Sequence, residues 1–313
     1  MASEVACIPI LDCSAVGLNV IDSNLADANI EQFGKEITIA FKSSGFCYLT
    51  NHGVDKKLID GYMRVSRSFF AQPDEVKCKH LHTKERNFGW VAVEREAINP
   101  ERPGDLKEAF NYFPADDDGR WPDIEDFQKY SKLMFDKCAM LAKRLCDCLS
   151  VGLGLDKEFM STAHKSIGTK NNSTTLRTLY YPAITDDSVL KPGQIRLGEH
   201  SDYGSITLLF QDDIGGLEAD IPGNGFVPVT PIPGTVVVNI GDLMQRWTSD
   251  ALIATKHRVL IPEVEFRKRK SRQSVVCFIH PDDDYLIKPL DGSGKYQPIT
   301  NGEYLHQRLN ATY

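Results

Sequence analysis

Gly198-Glu199-His200-Ser201-Asp202 runs directly into Tyr203-Gly204-Ser205-Ile206-Thr207-Leu208-Leu209-Phe210, a polar segment followed by an apolar stretch of strand length. In an extended chain residues two apart point to the same side, so His200 and Asp202 would set an imidazole and a carboxylate on one face, roughly 7 Å apart at Cα. Alone, a His-x-Asp pair is weak evidence. It gains weight from His257, which opens another strand-like run, His257-Arg258-Val259-Leu260. Two histidines and one carboxylate are a ligand set that leaves three of six octahedral positions on ferrous iron open to substrate, cosubstrate and oxygen. Zinc takes the same set in catalytic sites, so the ligands by themselves leave the metal open.

Further along lies Arg272-Gln273-Ser274-Val275-Val276-Cys277-Phe278. Strand alternation turns Arg272 and Ser274 to one face, where a guanidinium fork and a hydroxyl can hold a carboxylate. A dicarboxylic keto acid fits that geometry. One end would chelate iron while the distal carboxylate docks on Arg272 and Ser274.

The rest of the chain divides by periodicity. Ile30, Phe33, Ile37 and Phe41 mark a helix that Gly45 would end, followed by a strand, Phe46 to Thr50. Leu58, Tyr62, Val65 and Phe69 mark a second helix, and Phe127, Tyr130, Met134, Leu141, Leu145 and Leu149 a longer third one. From about residue 174 the pattern changes to short β-rich runs: Leu176 to Tyr181, Ser205 to Phe210, Thr235 to Ile240, His257 to Leu260, and Ser274 to His280. Turns such as Pro222-Gly223-Asn224-Gly225 separate them, as in an antiparallel barrel or jelly roll. The expected layout is a helix-rich region over 1–120, a supporting helix over 121–173, the β-rich part over 174–285, and a tail with a packed helix over 286–313.

These motifs, in this order, resemble the iron(II)- and 2-oxoglutarate-dependent dioxygenases, in particular the group similar to isopenicillin N synthase and the plant oxoglutarate oxygenases. The resemblance covers nearly the whole chain. It includes Ile8 to Asp12, Gly45 to Val54, Pro103 to Phe110, Leu176 to Pro182, His200 to Leu209, Asn239-Ile240-Gly241-Asp242, His257, and Arg272 to Ser274. It implies an α+β fold, with a double-stranded β-helix (a jelly-roll or cupin-like core) supported by N-terminal helices. It implies that His200, Asp202 and His257 bind Fe(II), that Arg272 and Ser274 clamp 2-oxoglutarate, and that the Tyr181 hydroxyl assists the cosubstrate. Leu179 departs from the pattern, since many plant members carry Asn there. The implied reaction couples decarboxylation of 2-oxoglutarate by dioxygen to hydroxylation, desaturation or cyclisation of a small metabolite, with ascorbate as reductant in vitro. Two other readings stay open: an iron oxidase of the same fold that needs no keto acid, and a catalytically silent binding protein.

A net charge of -7 and a pI near 5.7 disfavour nucleic acid as the main partner. No apolar run is long enough to span a bilayer and the N-terminus lacks a signal-peptide pattern, so the expected setting is cytoplasmic, with no obligate protein partner. The eight cysteines form no CxxC pair and are expected as free thiols. Phe88, Trp90, Phe110, Tyr112, Phe278 and His280 are candidate substrate-pocket residues, although aromatic residues at such positions are more often core. His52 reads as a turn residue, His80 and His82 as surface, and the basic run Arg267 to Arg272 as a solvated loop.

Overall fold

The computed structural model describes residues 8–83, 86–96, 103–186, 188, 190–262 and 265–312. Cys7 lies outside them, and the other seven cysteines are free. The chain begins β1 (Ile10–Asp12), α1 (Asp27–Ser43), β2 (Phe46–Thr50), α2 (Lys56–Phe70), α3 (Asp74–Lys77), β3 (Gly89–Val91) and β4 (Glu108–Tyr112). There follow α4 (Phe127–Gly152), α5 (Phe159–Ala163), β5 (Thr175–Tyr181), β6 (Leu197–His200), β7 (Ile206–Gln211), β8 (Leu217–Ile221), β9 (Gly225–Pro228) and β10 (Val236–Ile240). The last elements are α6 (Asp242–Trp247), β11 (His257–Val259), α7 (Glu265–Lys268), β12 (Arg272–Ile279), β13 (Leu286–Ile287), β14 (Ile299–Thr300) and α8 (Asn301–Thr312).

The three anticipated helices are α1, α2 and α4; they bury the apolar stripes read from the sequence, with Leu58 and Tyr130 only partly covered. Gly45 stands just past α1 in the left-handed region, at φ +68°, where a side chain would also meet the Ile253 carbonyl. That conformation, cheap only for glycine, turns the chain from helix into β2.

An eight-stranded sheet has the order β1-β2-β10-β7-β12-β5-β4-β3, and a four-stranded sheet the order β6-β11-β8-β9. All pairings are antiparallel except that of β1 with β2. The strands of the large sheet are apolar on both faces, and alternation explains why. Val275, Cys277 and Ile279 of β12, with Leu208 and Phe210 of β7, join the core under α1, α2 and α4. Val276 of β12, Leu209 of β7, Val237 of β10 and Leu179 of β5 join a second cluster with Leu217, Ala219 and Val259 of the small sheet. The large sheet is thus covered by helices on one side and by the small sheet on the other, which makes an α+β jelly roll.

Beyond the strand read at Phe46 to Thr50, the helix-rich first 120 residues also supply β1, β3 and β4 to the large sheet; these are only three to five residues long and carry little periodicity. One expectation changes. The basic run holds the helical turn α7 rather than a loop throughout.

Candidate metal centre

On the inner face of the large sheet the apolar pattern breaks at a few places, including Thr207, Gln211, Asn239, Arg272 and Ser274. A polar group in such a place needs a partner, so these positions mark a site. Opposite them, β6 ends at His200 and β11 begins at His257, and the register pairs the two histidines across the small sheet. Their ring centroids lie 4.2 Å apart. Asp202 is not on β6 as simple alternation proposed; it stands two residues past the strand end, in the turn leading to β7. What aims it is a set of hydrogen bonds. Its backbone carbonyl accepts from the Asp242 N–H at 2.7 Å, and its Oδ2 accepts from Asn239 Nδ2 at 2.7 Å. Asp202 Oδ1 is then 3.8 Å from His200 Nε2 and 3.7 Å from His257 Nε2.

The outer nitrogens of the two rings decide their tautomers. His200 Nδ1 lies 2.9 Å from the Gly198 carbonyl and His257 Nδ1 lies 3.1 Å from the Thr255 carbonyl. A carbonyl only accepts, so each Nδ1 carries the hydrogen and each Nε2 turns its lone pair toward Asp202. Burial, followed by the neighbouring His257, pushes the His200 imidazole down to about 4. For Asp202, burial works to raise the carboxyl, but the two histidines and the hydrogen bonds from Asn239 and Thr207 outweigh it and hold it below its usual value. Among the described residues this is the one His/Cys/Asp/Glu group arranged to hold an ion, its ligand atoms all within 4.8 Å of one another. Two imidazoles and one carboxylate suit ferrous iron, and their ligating atoms converge.

At the other end of β12, Arg272 is 1% exposed. Its Nη1 donates to Ser274 Oγ at 3.3 Å and its Nη2 to Gln211 Oε1 at 3.1 Å, while the guanidinium lies over the Tyr181 ring, 4.8 Å from the centroid. The β5–β12 register sets Tyr181 directly opposite Arg272. The fork is therefore fixed in one plane with no carboxylate bonded to it among the described residues, an arrangement suited to an incoming one.

Two family models match the chain: the N-terminal family described as non-haem dioxygenase in morphine synthesis over residues 8–132, and the 2OG-Fe(II) oxygenase superfamily over residues 172–281. The 2-oxoglutarate-dependent dioxygenase htyE of Aspergillus rugulosus is 35% identical, over 79% of this chain and 80% of its own length. The chain belongs to the 2OG-Fe(II) oxygenase superfamily. The proline hydroxylase buaE of Petromyces alliaceus is 31% identical over 93% of this oxygenase and 96% of its own length. A crystal structure of a full-length Neurospora crassa protein in complex with alpha-KG and thymine superposes with a TM-score of 0.85 at 32% identity, covering 100% of this chain and 99% of that one. The oxygenase is an oxidoreductase that uses Fe(II), 2-oxoglutarate and dioxygen.

The structure does not bring every candidate pocket residue to this centre. Phe88, Phe110 and Tyr112 pack in the aromatic core on the helix side of the sheet, with Trp121, Phe127 and Phe135 around them. They satisfy the hydrophobic need of α4, not of a ligand. Trp90 is buried there too, its indole N–H donating to Glu108 at 2.7 Å beneath the Lys77 ammonium. Phe278 differs. It shares the inner face of β12 with Val276, packs on the cluster between the sheets, and is only partly buried. His280 follows β12, buried, with its Nδ1 3.3 Å from Asn301 Oδ1 and its ring beside Gly204. His52 is the turn residue expected, its Nδ1 accepting from the Val54 N–H.

Asn239, Gln211 and Arg196 have no role in the sequence reading. Asn239 carried a signal: it is the one polar residue in the strand Val236–Ile240, and it alternates onto the inner face with Val237.

Proposed function

We propose that the oxygenase oxidises a small organic metabolite, holding Fe(II) on His200, Asp202 and His257 and 2-oxoglutarate on Arg272 and Ser274. The observation that carries this reading is the pairing of two preformed and chemically different ends in one barrel. One end has three converging lone-pair donors, and the other has a buried guanidinium fork with a hydroxyl beside it. A keto acid with a second carboxylate is the ligand whose own two ends match them.

Bound iron(II), 2-oxoglutarate and dioxygen supply the oxidising power: the keto acid leaves as succinate and carbon dioxide, and the substrate is oxidised. The chain's own residues supply placement. Asp202 provides the negative charge, its carboxyl held below its usual value by His257 and His200 and by the hydrogen bonds from Asn239 and Thr207, and the Gly198 and Thr255 carbonyls fix Nε2 of both imidazoles as the ligating nitrogen. Gln211 and the Tyr181 ring fix the Arg272 fork, so little ordering is needed on binding. Leu179, Leu209, Val276 and Phe278 pack in the cluster between the two sheets, apolar surface that would keep water from the oxidation. Phe278 and His280 are the candidates for substrate contact retained by their place on the inner side of β12 and beside the turn that carries Asp202.

A small-molecule substrate accords with the proline hydroxylase named among the relatives and with thymine in the Neurospora crassa structure. Residues 174–285 form the catalytic part, 1–120 and 121–173 its support, and 286–313 the tail closed by α8. We place the protein in the cytoplasm; among the described residues no helix is long and apolar enough to cross a membrane.

The test is to purify the protein anaerobically, add iron(II), ascorbate and 2-oxoglutarate under air, and measure succinate with and without fractions of a metabolite extract. Iron-dependent succinate that rises with one fraction supports the reading. Oxygen uptake on adding the fraction, without succinate, refutes the role given to Arg272 and Ser274.

A further inference from the structure

Arg196, immediately before β6, is 0% exposed. Its Nη2 donates to the Lys270 carbonyl at 3.0 Å, but its Nε and Nη1 have no partner, and no carboxylate is paired with it among the described residues. The Lys270 carbonyl belongs to the segment that leads into β12, two residues before Arg272, so the second guanidinium is anchored beside the first. Arg272 is also left with an unpartnered Nε. Through space Arg272 repels Arg196 and Asp212 attracts it. Burial, followed by Arg272, pushes Arg196 down to about 10, low for a guanidinium yet still charged at neutral pH.

Among the described residues this end of the barrel holds two buried guanidiniums and one partly buried carboxylate, Asp212, whose oxygens accept the backbone N–H groups of Gln273 at 2.6 Å and Ile214 at 3.1 Å. One positive charge is left over. A buried charge without a counterion is costly, and folds keep one chiefly where a ligand arrives to neutralise it.

We infer that Arg196 is a second cation of the cosubstrate site, and that the distal carboxylate of 2-oxoglutarate docked on Arg272 also compensates the Arg196 guanidinium. This rests on the assignment of Arg272 as the clamp and goes beyond it. One carboxylate then balances the leftover charge. A keto acid without a distal carboxylate leaves that charge uncompensated, so the pair selects for the dicarboxylate more strongly than one arginine can.

The experiment compares dissociation constants of 2-oxoglutarate and 2-oxopentanoate, which has the same chain length but no distal carboxylate. They are measured by anaerobic calorimetry on the manganese(II)-loaded full chain, for the wild type, Arg196→Met and Arg272→Met. The expected result for Arg196→Met is a Kd for 2-oxoglutarate raised at least tenfold, with 2-oxopentanoate within threefold of wild type. The ligand-free Arg196→Met protein should melt no lower than the wild type, since it loses an uncompensated charge. A 2-oxoglutarate Kd changed less than threefold, or equal weakening of both keto acids, overturns the inference. Arg272→Met separates the two claims: if it weakens 2-oxoglutarate while Arg196→Met does not, only the second cation falls, and if neither does, the clamp falls as well. Should Arg196→Met not fold, Arg196→Lys carries the test. It keeps the charge and must retain most of the preference for the dicarboxylate, and loss of that preference overturns the inference.

Discussion

Asn239→Ala removes one hydrogen bond and touches no proposed metal ligand directly through the chain. Asn239 is 2% exposed, and its Nδ2 lies 2.7 Å from Asp202 Oδ2. A hydrogen bond to a buried charged group contributes about 1.5 to 3 kcal/mol. Because the bond favours the ionised carboxylate, and only the ionised form binds metal, most of that loss should appear in metal affinity. At about 1.4 kcal/mol per decade this corresponds to a Kd for Mn(II) or Fe(II) raised roughly 10- to 100-fold. The assay is anaerobic competition with a chromophoric chelator. Val237→Ala is the control, since Val237 lies two residues away on the same face of β10 and makes no bond to Asp202. It should lower the melting temperature and leave metal affinity within twofold. An Asn239→Ala protein with unchanged metal Kd, or a Val237→Ala protein weakened equally, would refute the reasoning.

Arg272→Ala should weaken 2-oxoglutarate by about 2 to 4 kcal/mol while leaving metal binding near wild type, read by titrating each separately. Gly204→Ala places a Cβ 2.3 Å from the Ile279 carbonyl, a backbone atom that cannot step aside. It should cost about 1 to 3 kcal/mol in urea unfolding and weaken metal binding by shifting the turn that carries Asp202; unchanged stability would show that the turn is looser than described. His164 is fully buried between the Met160 carbonyl and Ser205 Oγ, and burial pushes it down to about 4. Its folded value lies below its unfolded one, so its share of stability is present above about pH 6.5 and is lost as pH falls toward 4. The loss is bounded at roughly 3 kcal/mol. His164→Gln should flatten the decline in unfolding free energy between pH 7 and 4.5, and parallel curves for the two proteins would contradict this.

Much of this site is legible in the sequence because its chemistry is local. Arg272 and Ser274 share one face of a single strand, so spacing alone sets them together, whereas His200 and Asp202 are close in sequence but meet through the turn held by Asp242 and Asn239. The helices were legible because α1, α2 and α4 each bury one stripe. What escaped depends on contacts across the chain. Arg196 meets the clamp through the Lys270 carbonyl, 74 residues away, and Gln211 meets Arg272 across 61 residues. The aromatic residues Phe88, Phe110 and Tyr112 look alike in sequence whether they line a pocket or a core, and only the face of the sheet distinguishes them. The small-sheet strand β6 is only four residues long, too short to show a period in the sequence.

The central claim is that one ion on His200, Asp202 and His257 drives turnover of the keto acid docked on Arg272. It is tested most directly by measuring iron-dependent succinate formation, with a substrate-bearing extract fraction, by the wild type and by Asp202→Ala at matched protein and iron concentrations. The account predicts succinate from the wild type and none above the protein-free background from Asp202→Ala. Equal succinate from both proteins would contradict it.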